Sequence, residues 1–201
     1  MDLALSWSFL GLYVVMGLLR AYFTWRAGRS RTAAPIEEAI ARRVLLYLLI
    51  AAQVLVNTLY GFWAVLGFCA WFGVGAVTIA VEIRIAGGAV AGLGLLGMIW
   101  THRSLGRQFS RELVVQKQHE LITRGPYAYV RHPLYTFLIM FFVGTAVLAS
   151  HWANLGLCAA LVALLVSRIP VEERMMSKHF GEKYAEYRQR TGALLPRLRK
   201  P

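Results

Sequence analysis

A chain of 201 residues with 58% hydrophobic side chains, a mean hydropathy of +0.52 and 16% charged residues lies outside the usual range of soluble globular domains and inside that of polytopic membrane proteins. Its net charge of +12 does not indicate nucleic acid, because the cations fall into three loops between apolar runs rather than onto a soluble basic face. Two cysteines, Cys69 and Cys158, sit singly in apolar runs and suggest packing residues, not a disulfide framework or a metal knuckle.

A helix needs roughly 20 apolar residues to cross about 30 Å of hydrocarbon. The first run, Leu3 to Leu19, lacks a basic n-region and an Ala-x-Ala site and ends in Arg20, so it is expected to remain as a membrane helix. Arg29 to Pro35 reads as a loop, and Pro35-Ile36-Glu37-Glu38 as a helix start. Val44 to Val81 is too long for one crossing, is broken near Gly61 and Gly67, and carries Asn57, Tyr60, Trp63 and Trp71. It is expected to cross over about Val44 to Leu66 and to continue, over Phe68 to Val81, as an interfacial or re-entrant piece. Ile85 to Thr101 is the third span; its Gly88-Ala89-Val90-Ala91-Gly92, with Gly94 and Gly97, matches small-xxx-small helix packing.

Leu134 to Ser150 and Trp152 to Ser167 follow as a hairpin turning at Ser150-His151. Beyond it Ile169, Met176, Phe180, Tyr184 and Tyr187 recur at helical steps as an amphipathic helix, with Pro170 expected to kink it. Five crossings put all three basic clusters on one side, the cytoplasmic one: Arg20 to Arg43, Arg103 to Arg131, and Arg168 to Lys200. Only Arg84 is left over. The N-terminus then lies outside.

Gly125-Pro126-Tyr127-Ala128-Tyr129-Val130-Arg131-His132-Pro133-Leu134-Tyr135 is a costly way to enter a bilayer, since an arginine at depth costs about 2.5 to 3.5 kcal/mol on insertion scales. Such a segment belongs to a site. An antiparallel hairpin brings its entrance and exit together, so His132 and Glu172 are expected to meet although 40 positions separate them. Glu172 and Glu173 point about 100° apart on a helix, so only one is expected to face the cleft. Arg168, four residues earlier, can pair with Glu172 or reach a bound anion, and as an ordinary residue would snorkel. His119 and His132, spaced without a nearby cysteine or acid at ligand distance, are poor evidence for a metal. Neither a Gly-x-Gly-x-x-Gly after a strand, a Walker loop nor a Gly-x-Ser-x-Gly elbow occurs, so a soluble Rossmann domain is excluded.

From Leu105 to Pro196 the chain resembles the isoprenylcysteine carboxyl methyltransferases, their bacterial relatives and, more distantly, the phospholipid N-methyltransferases. The resemblance rests on Leu105-Gly106-Arg107-Gln108-Phe109-Ser110, Val114-Val115-Gln116, His119 through Tyr127, Arg131-His132-Pro133-Leu134-Tyr135, Glu172-Glu173, Phe180-Gly181-Glu182-Lys183-Tyr184-Ala185-Glu186-Tyr187 and Leu195-Pro196. With the spans read above, a single all-α membrane domain of about five transmembrane helices is expected: a scaffold over residues 1–101, and a cofactor-binding and catalytic half over 102–201. The resemblance implies S-adenosylmethionine as methyl donor, in a cytosol-facing pocket built from the loop before the fourth span and the C-terminal helix. Gln116, His119, Glu120, Leu121, Ile122, Tyr127, His132, Pro133, Leu134, Tyr135 and Glu172 fall at cofactor-contacting positions, and Arg168 where an arginine engages the acceptor. The implied partner is a lipophilic small molecule or prenylated acceptor arriving from the bilayer.

Two departures bear on that acceptor. Eukaryotic members carry a longer acidic run where this chain has Pro170-Val171, and a longer insertion where it has only Lys117-Gln118. A phenolic lipid or an aminophospholipid is therefore an alternative acceptor to a prenylcysteine carboxylate. Nicotinamide-dependent sterol-type reductases share a related Arg-His-Pro segment, on a much longer chain.

Overall fold

The structure, a computed structural model, describes residues 3–27, 48, 51–52, 55, 76–105 and 121–197. Within them the chain is helical: α1 (Leu3–Ala27), α2 (Val81–Leu105), a 3-10 turn (Gly125–Ala128), α3 (Pro133–Ala149), α4 (Trp152–Phe180) and α5 (Glu182–Arg190). The all-α expectation is met. α2 and α4 are long and apolar enough to cross a membrane, and Trp7–Phe23 of α1 and Pro133–Ala149 are shorter apolar helices. These four correspond to four of the five expected crossings; the span expected over Val44 to Leu66 and most of the piece after it lie outside the described residues. Residues 76–80, the end of that piece, are extended chain rather than helix.

The hairpin turns where the sequence places it. Ser150 adopts a left-handed conformation (φ 54°, ψ 45°), and its N–H reaches back to the carbonyls of Ala146 and Val147, each at 3.2 Å. His151 then caps α4, its Nδ1 accepting from the N–H of Ala153 at 3.2 Å. The chain before α2 seals this turn: the Val77 N–H donates to the Ser150 carbonyl at 2.8 Å, and the Ser150 hydroxyl donates to the Val77 carbonyl. Arg84, the cation outside the three basic clusters, donates through Nε to the Leu148 carbonyl at 3.0 Å and so meets the negative end of α3.

Small residues bring α2 and α3 into backbone contact. Gly87 faces Gly144, Gly94 lies under the backbone of Phe137 and Phe141, and Gly97 lies against the Phe137 ring. In hydrocarbon no hydrophobic effect drives helices together, so close van der Waals approach must do it. Of the expected small residues Ala91, Gly94 and Gly97 are buried, joined by Gly87 just before the stretch, while Gly88 and Gly92 are only partly buried. α1 joins through the Tyr13 and Thr145 hydroxyls, 3.1 Å apart, and through Phe9 and Met16 in the core.

α4 continues through Pro170, which neither ends the helix nor interrupts its 29 residues. The amphipathic continuation is instead broken at Gly181, whose φ of 52° suits glycine, so Tyr184 and Tyr187 belong to a separate helix, α5, on which both are buried.

A Cβ at Gly94 would lie 2.7 Å from the Phe137 carbonyl oxygen and 2.8 Å from the Phe141 nitrogen, backbone atoms that cannot rotate away. Gly94→Val is therefore expected to destabilise the protein by at least about 1–3 kcal/mol. Gly88→Ala, whose Cβ would find the Leu148 methyls at 3.6 and 3.7 Å, is expected to be nearly neutral. Thermal unfolding of the two variants in detergent, followed by circular dichroism, measures the difference.

Candidate functional site

The turn at Ser150 lies at one end of the hairpin, so the start of α3 and the last third of α4 share the other. Pro133 opens α3 at its first helical position, where a missing N–H costs nothing, and leaves His132 as the flanking residue. His132 is buried, 9% exposed, and its Nδ1 stands 3.2 Å from Oε2 of Glu172. The same carboxylate accepts from the Tyr135 hydroxyl through Oε1, which also lies 4.0 Å from Nε of buried Arg168. The His132 and Tyr135 rings stack, 5.7 Å apart and 9° from parallel, so one helical turn presents both to Glu172.

Glu173 does not turn away, as the 100° separation led one to expect. Its Oε1 lies 3.6 Å from Nε2 of His132, so the two acids approach the two nitrogens of one imidazole. The reason is side-chain length: each carboxylate bends toward the ring from its own side. Their other partners differ. Glu173 accepts from Arg131 Nε at 2.8 Å, lies 2.7 Å from Arg131 Nη2, and has Arg188 Nε 3.6 Å from Oε2.

Tyr127 belongs to the 3-10 turn before α3, which starts at Gly125 (φ 62°), packed over Ser104. The Tyr127 carbonyl accepts from the Tyr187 hydroxyl at 2.7 Å, which fastens the turn to α5. Burial, with the neighbouring Tyr187 and the Glu172 charge behind it, drives the Tyr127 phenol far above its ordinary pKa and keeps it a neutral donor. Burial likewise raises Tyr187, and pushes Tyr184 up to about 12.

The structure thus brings together His132, Tyr135, Glu172 and Arg168, with Tyr127 adjoining. Leu121 and Ile122 are half-buried in the chain leading into the 3-10 turn, while Pro133 is buried and Leu134 packs on the helix core. Gln116, His119 and Glu120 lie outside the described residues. Sequence reasoning assigned no role to Arg131 or to Thr191–Leu194. Arg131 was visible in the motif; the tail gave only its closing Leu195-Pro196. No group of three or more potential metal ligands occurs among the described residues. An apolar cleft of about 370 Å³ between α1 and α2, lined in part by Leu5, Leu12, Val15 and Leu148, lies toward the opposite end of the helices.

The residues present suit a zwitterionic ligand. Glu172 offers negative charge and Arg168 and Tyr127 offer donors, while Nε2 of His132 is buried without a hydrogen-bond partner. A buried nitrogen without a partner is uncommon in folded proteins, and an acceptor on a ligand would satisfy this one.

Known proteins agree with the motif reading. Protein-S-isoprenylcysteine O-methyltransferase B of Arabidopsis thaliana is 32% identical over 94 residues, 45% of this chain and 48% of the relative. The protein-S-isoprenylcysteine O-methyltransferase of Schizosaccharomyces pombe is 33% identical over 94 residues, 45% of this chain and 40% of its own. The chain thus spans about half or less of the length of these curated relatives. The fold is shared with the eukaryotic intramembrane Ras methyltransferase ICMT, at a TM-score of 0.60 and 20% identity, over 94% of this chain and 66% of that one. The model of the phospholipid methyltransferase family matches residues 83–183, half of the chain including α2, α3, α4 and the His132 site, and the chain belongs to that family.

Proposed function

We propose that the protein is an S-adenosylmethionine-dependent methyltransferase acting on a lipophilic or amphiphilic acceptor, most simply the carboxylate of an isoprenylcysteine-like molecule. The observation that carries this reading is the 3.2 Å approach of His132 to Glu172 across the open end of the α3–α4 hairpin, which gathers a carboxylate, an imidazole, two phenols and a guanidinium into one buried cluster. Relatives named as isoprenylcysteine O-methyltransferases are similar to this chain over 94 residues, which supports the same reading.

When bound, S-adenosylmethionine supplies an electrophilic methyl group on a sulfonium. Glu172, oriented by the Tyr135 hydroxyl, would accept from the ammonium of its methionyl part; His132 and Tyr127 would donate to its carboxylate; Leu121, Ile122 and Leu134 would flank the adenine. Gln116, His119 and Glu120, outside the described residues, would complete the set. Arg168, on the α4 face four residues before Glu172, would hold the acceptor carboxylate. A carboxylate needs no general base, so alignment and exclusion of water are the protein's main contribution, and positioning can supply about 7–11 kcal/mol of a barrier. The two halves form one membrane domain with five crossings, and the site faces the cytoplasm, as the three basic clusters require. The acceptor's apolar tail would arrive from the bilayer.

A second acceptor class, an aminophospholipid, is favoured by the family match itself. An amine must lose a proton. Glu173, already engaged by Arg131 and Arg188, is poorly placed to take it. Incubation with radiolabelled donor and either a farnesylated cysteine analogue or phosphatidylethanolamine is expected to label the former; label in phosphatidylethanolamine alone favours the second class.

In detergent, the wild-type protein is expected to bind S-adenosylhomocysteine and not NADPH by calorimetry. Affinity for NADPH alone would refute the reading. His132→Ala and Glu172→Ala each remove a charged or buried hydrogen bond worth about 1.5–3 kcal/mol, so donor-analogue affinity is expected to fall on the order of tenfold to a hundredfold. Arg168→Ala is expected to leave that affinity nearly intact and to abolish transfer. Equal loss of affinity in all three would show that the division of roles is wrong.

A further inference from the structure

Residues 191–197, which follow α5, stay against the protein. They run beside the segment that carries His132, with Gly192 bridged in parallel to Val130. The N–H of Arg131 donates to the Gly192 carbonyl at 2.8 Å, the N–H of His132 to the Ala193 carbonyl at 3.0 Å, and the Thr136 hydroxyl to the Leu194 carbonyl at 2.7 Å. The only polar backbone donor of the His132–Pro133 pair is therefore satisfied by the tail.

Arg131 fastens the same tail from the side. Its Nη1 donates to the carbonyl of Thr191 and, at 3.3 Å, to that of Arg188, at the end of α5. Nε and Nη2 go to Glu173, which Arg188 also approaches. At the tail's own turn the Thr191 hydroxyl donates to the Tyr187 carbonyl at 2.7 Å, and Gly192 is pressed so closely on the Leu195 carbonyl that a Cβ has no room.

We propose that Thr191–Leu194 is a positioning strap for the donor site, and that Arg131, Glu173 and Arg188 form its fastening. The strap fixes the backbone on which His132 is mounted, at the point where its Nδ1 must meet Glu172. The adjacent acids then divide the work. Glu172 faces the ligand, and Glu173 holds the strap while its charge is balanced by two arginines. This inference rests on the proposed donor-binding role of His132; it adds that the affinity of that site is set by a segment that touches no ligand.

The test uses the full-length protein in detergent and two variants that loosen the strap without altering the donor cluster. Thr136→Val keeps the shape and removes the hydroxyl; Gly192→Val forces the strap off. Hydrogen–deuterium exchange at the Arg131 and His132 amides reads the strap, and calorimetry with S-adenosylhomocysteine reads the site. Both variants are expected to speed exchange at these amides and to weaken the donor analogue about tenfold, the equivalent of one hydrogen bond. Acceptor KM and the far-UV helical signal are expected to remain at wild-type values, and Thr136→Ser to restore both exchange and affinity.

Loosened amides with wild-type donor affinity would overturn the proposal, as would lost affinity without faster exchange, or a Thr136→Ser variant that rescues neither. The two readings fail separately. A wild-type protein that does not bind S-adenosylhomocysteine overturns the donor reading and the strap's function with it. An altered response confined to the variants overturns the strap alone.

Discussion

The contact between His132 and Glu172 is the constraint on which the rest of the structure depends. It joins the residue before α3 to the last third of α4, and it can form only if the two helices are antiparallel, abruptly joined and held at a fixed spacing. Each distant feature of the fold serves one of these conditions. The left-handed Ser150 makes the turn abrupt, the chain at Val77 locks it, and Arg84 neutralises the helix end beside it. The glycines of α2 then hold α3 at backbone distance, so that a rigid wall fixes where its first turn points. A bundle packed through long side chains would leave that end free to tilt by more than a hydrogen bond tolerates.

Much of this was legible in the sequence, for reasons that can be named. Two apolar runs parted only by Ser150-His151 located the hairpin, and an antiparallel hairpin fixes the end at which its helices must meet. The Arg-His-Pro segment identified itself by its cost in an apolar setting. What escaped was decided by particular side chains. The packing stripe of α2 takes Gly87 with the expected Ala91, Gly94 and Gly97 and leaves Gly88 and Gly92 aside, because small residues occupy both registers and only Gly144 and Phe137 of α3 determine which are buried. The rule that neighbouring helical residues diverge by 100° describes Cα–Cβ directions, and a glutamate is long enough to undo it when two acceptors are wanted around one ring. The break at Gly181 was hidden because an apolar pattern of helical period continues across it into α5. The tail was unreadable in kind: its contacts are through backbone carbonyls, which no residue type advertises.

Buried ionic clusters are seldom the cheapest way to hold a protein together. Removing two charges from water costs several kcal/mol per ion, and an apolar replacement of similar volume is often as stable. The cluster here places Arg131, Arg168 and Arg188 against Glu172 and Glu173, which keeps the charges nearly balanced while His132 lies between the two acids. Balance alone would be met equally well by two simple pairs. What two pairs would not provide is an imidazole held between two acids, with one nitrogen close enough to Glu172 for a hydrogen bond and the other left without one.

The cluster stands where the apolar stretches of α3 and α4 end. A water-soluble donor and a lipophilic acceptor share no solvent, so a protein that joins them must place their meeting point where apolar helix walls give way to polar structure. α3 makes this change abruptly: Leu138, Phe141 and Phe142 are buried in the helix core, while His132 and Tyr135 at its start face carboxylates. α4 makes it on one continuous rod, from Leu161 and Leu165 in the core to Arg168 and Glu172 within two further turns. In the proposed reading Arg168 stands at this boundary because its task requires both neighbours: an apolar side along which a lipid chain can lie, and a polar side where the carboxylate at the end of that chain meets the methyl donor.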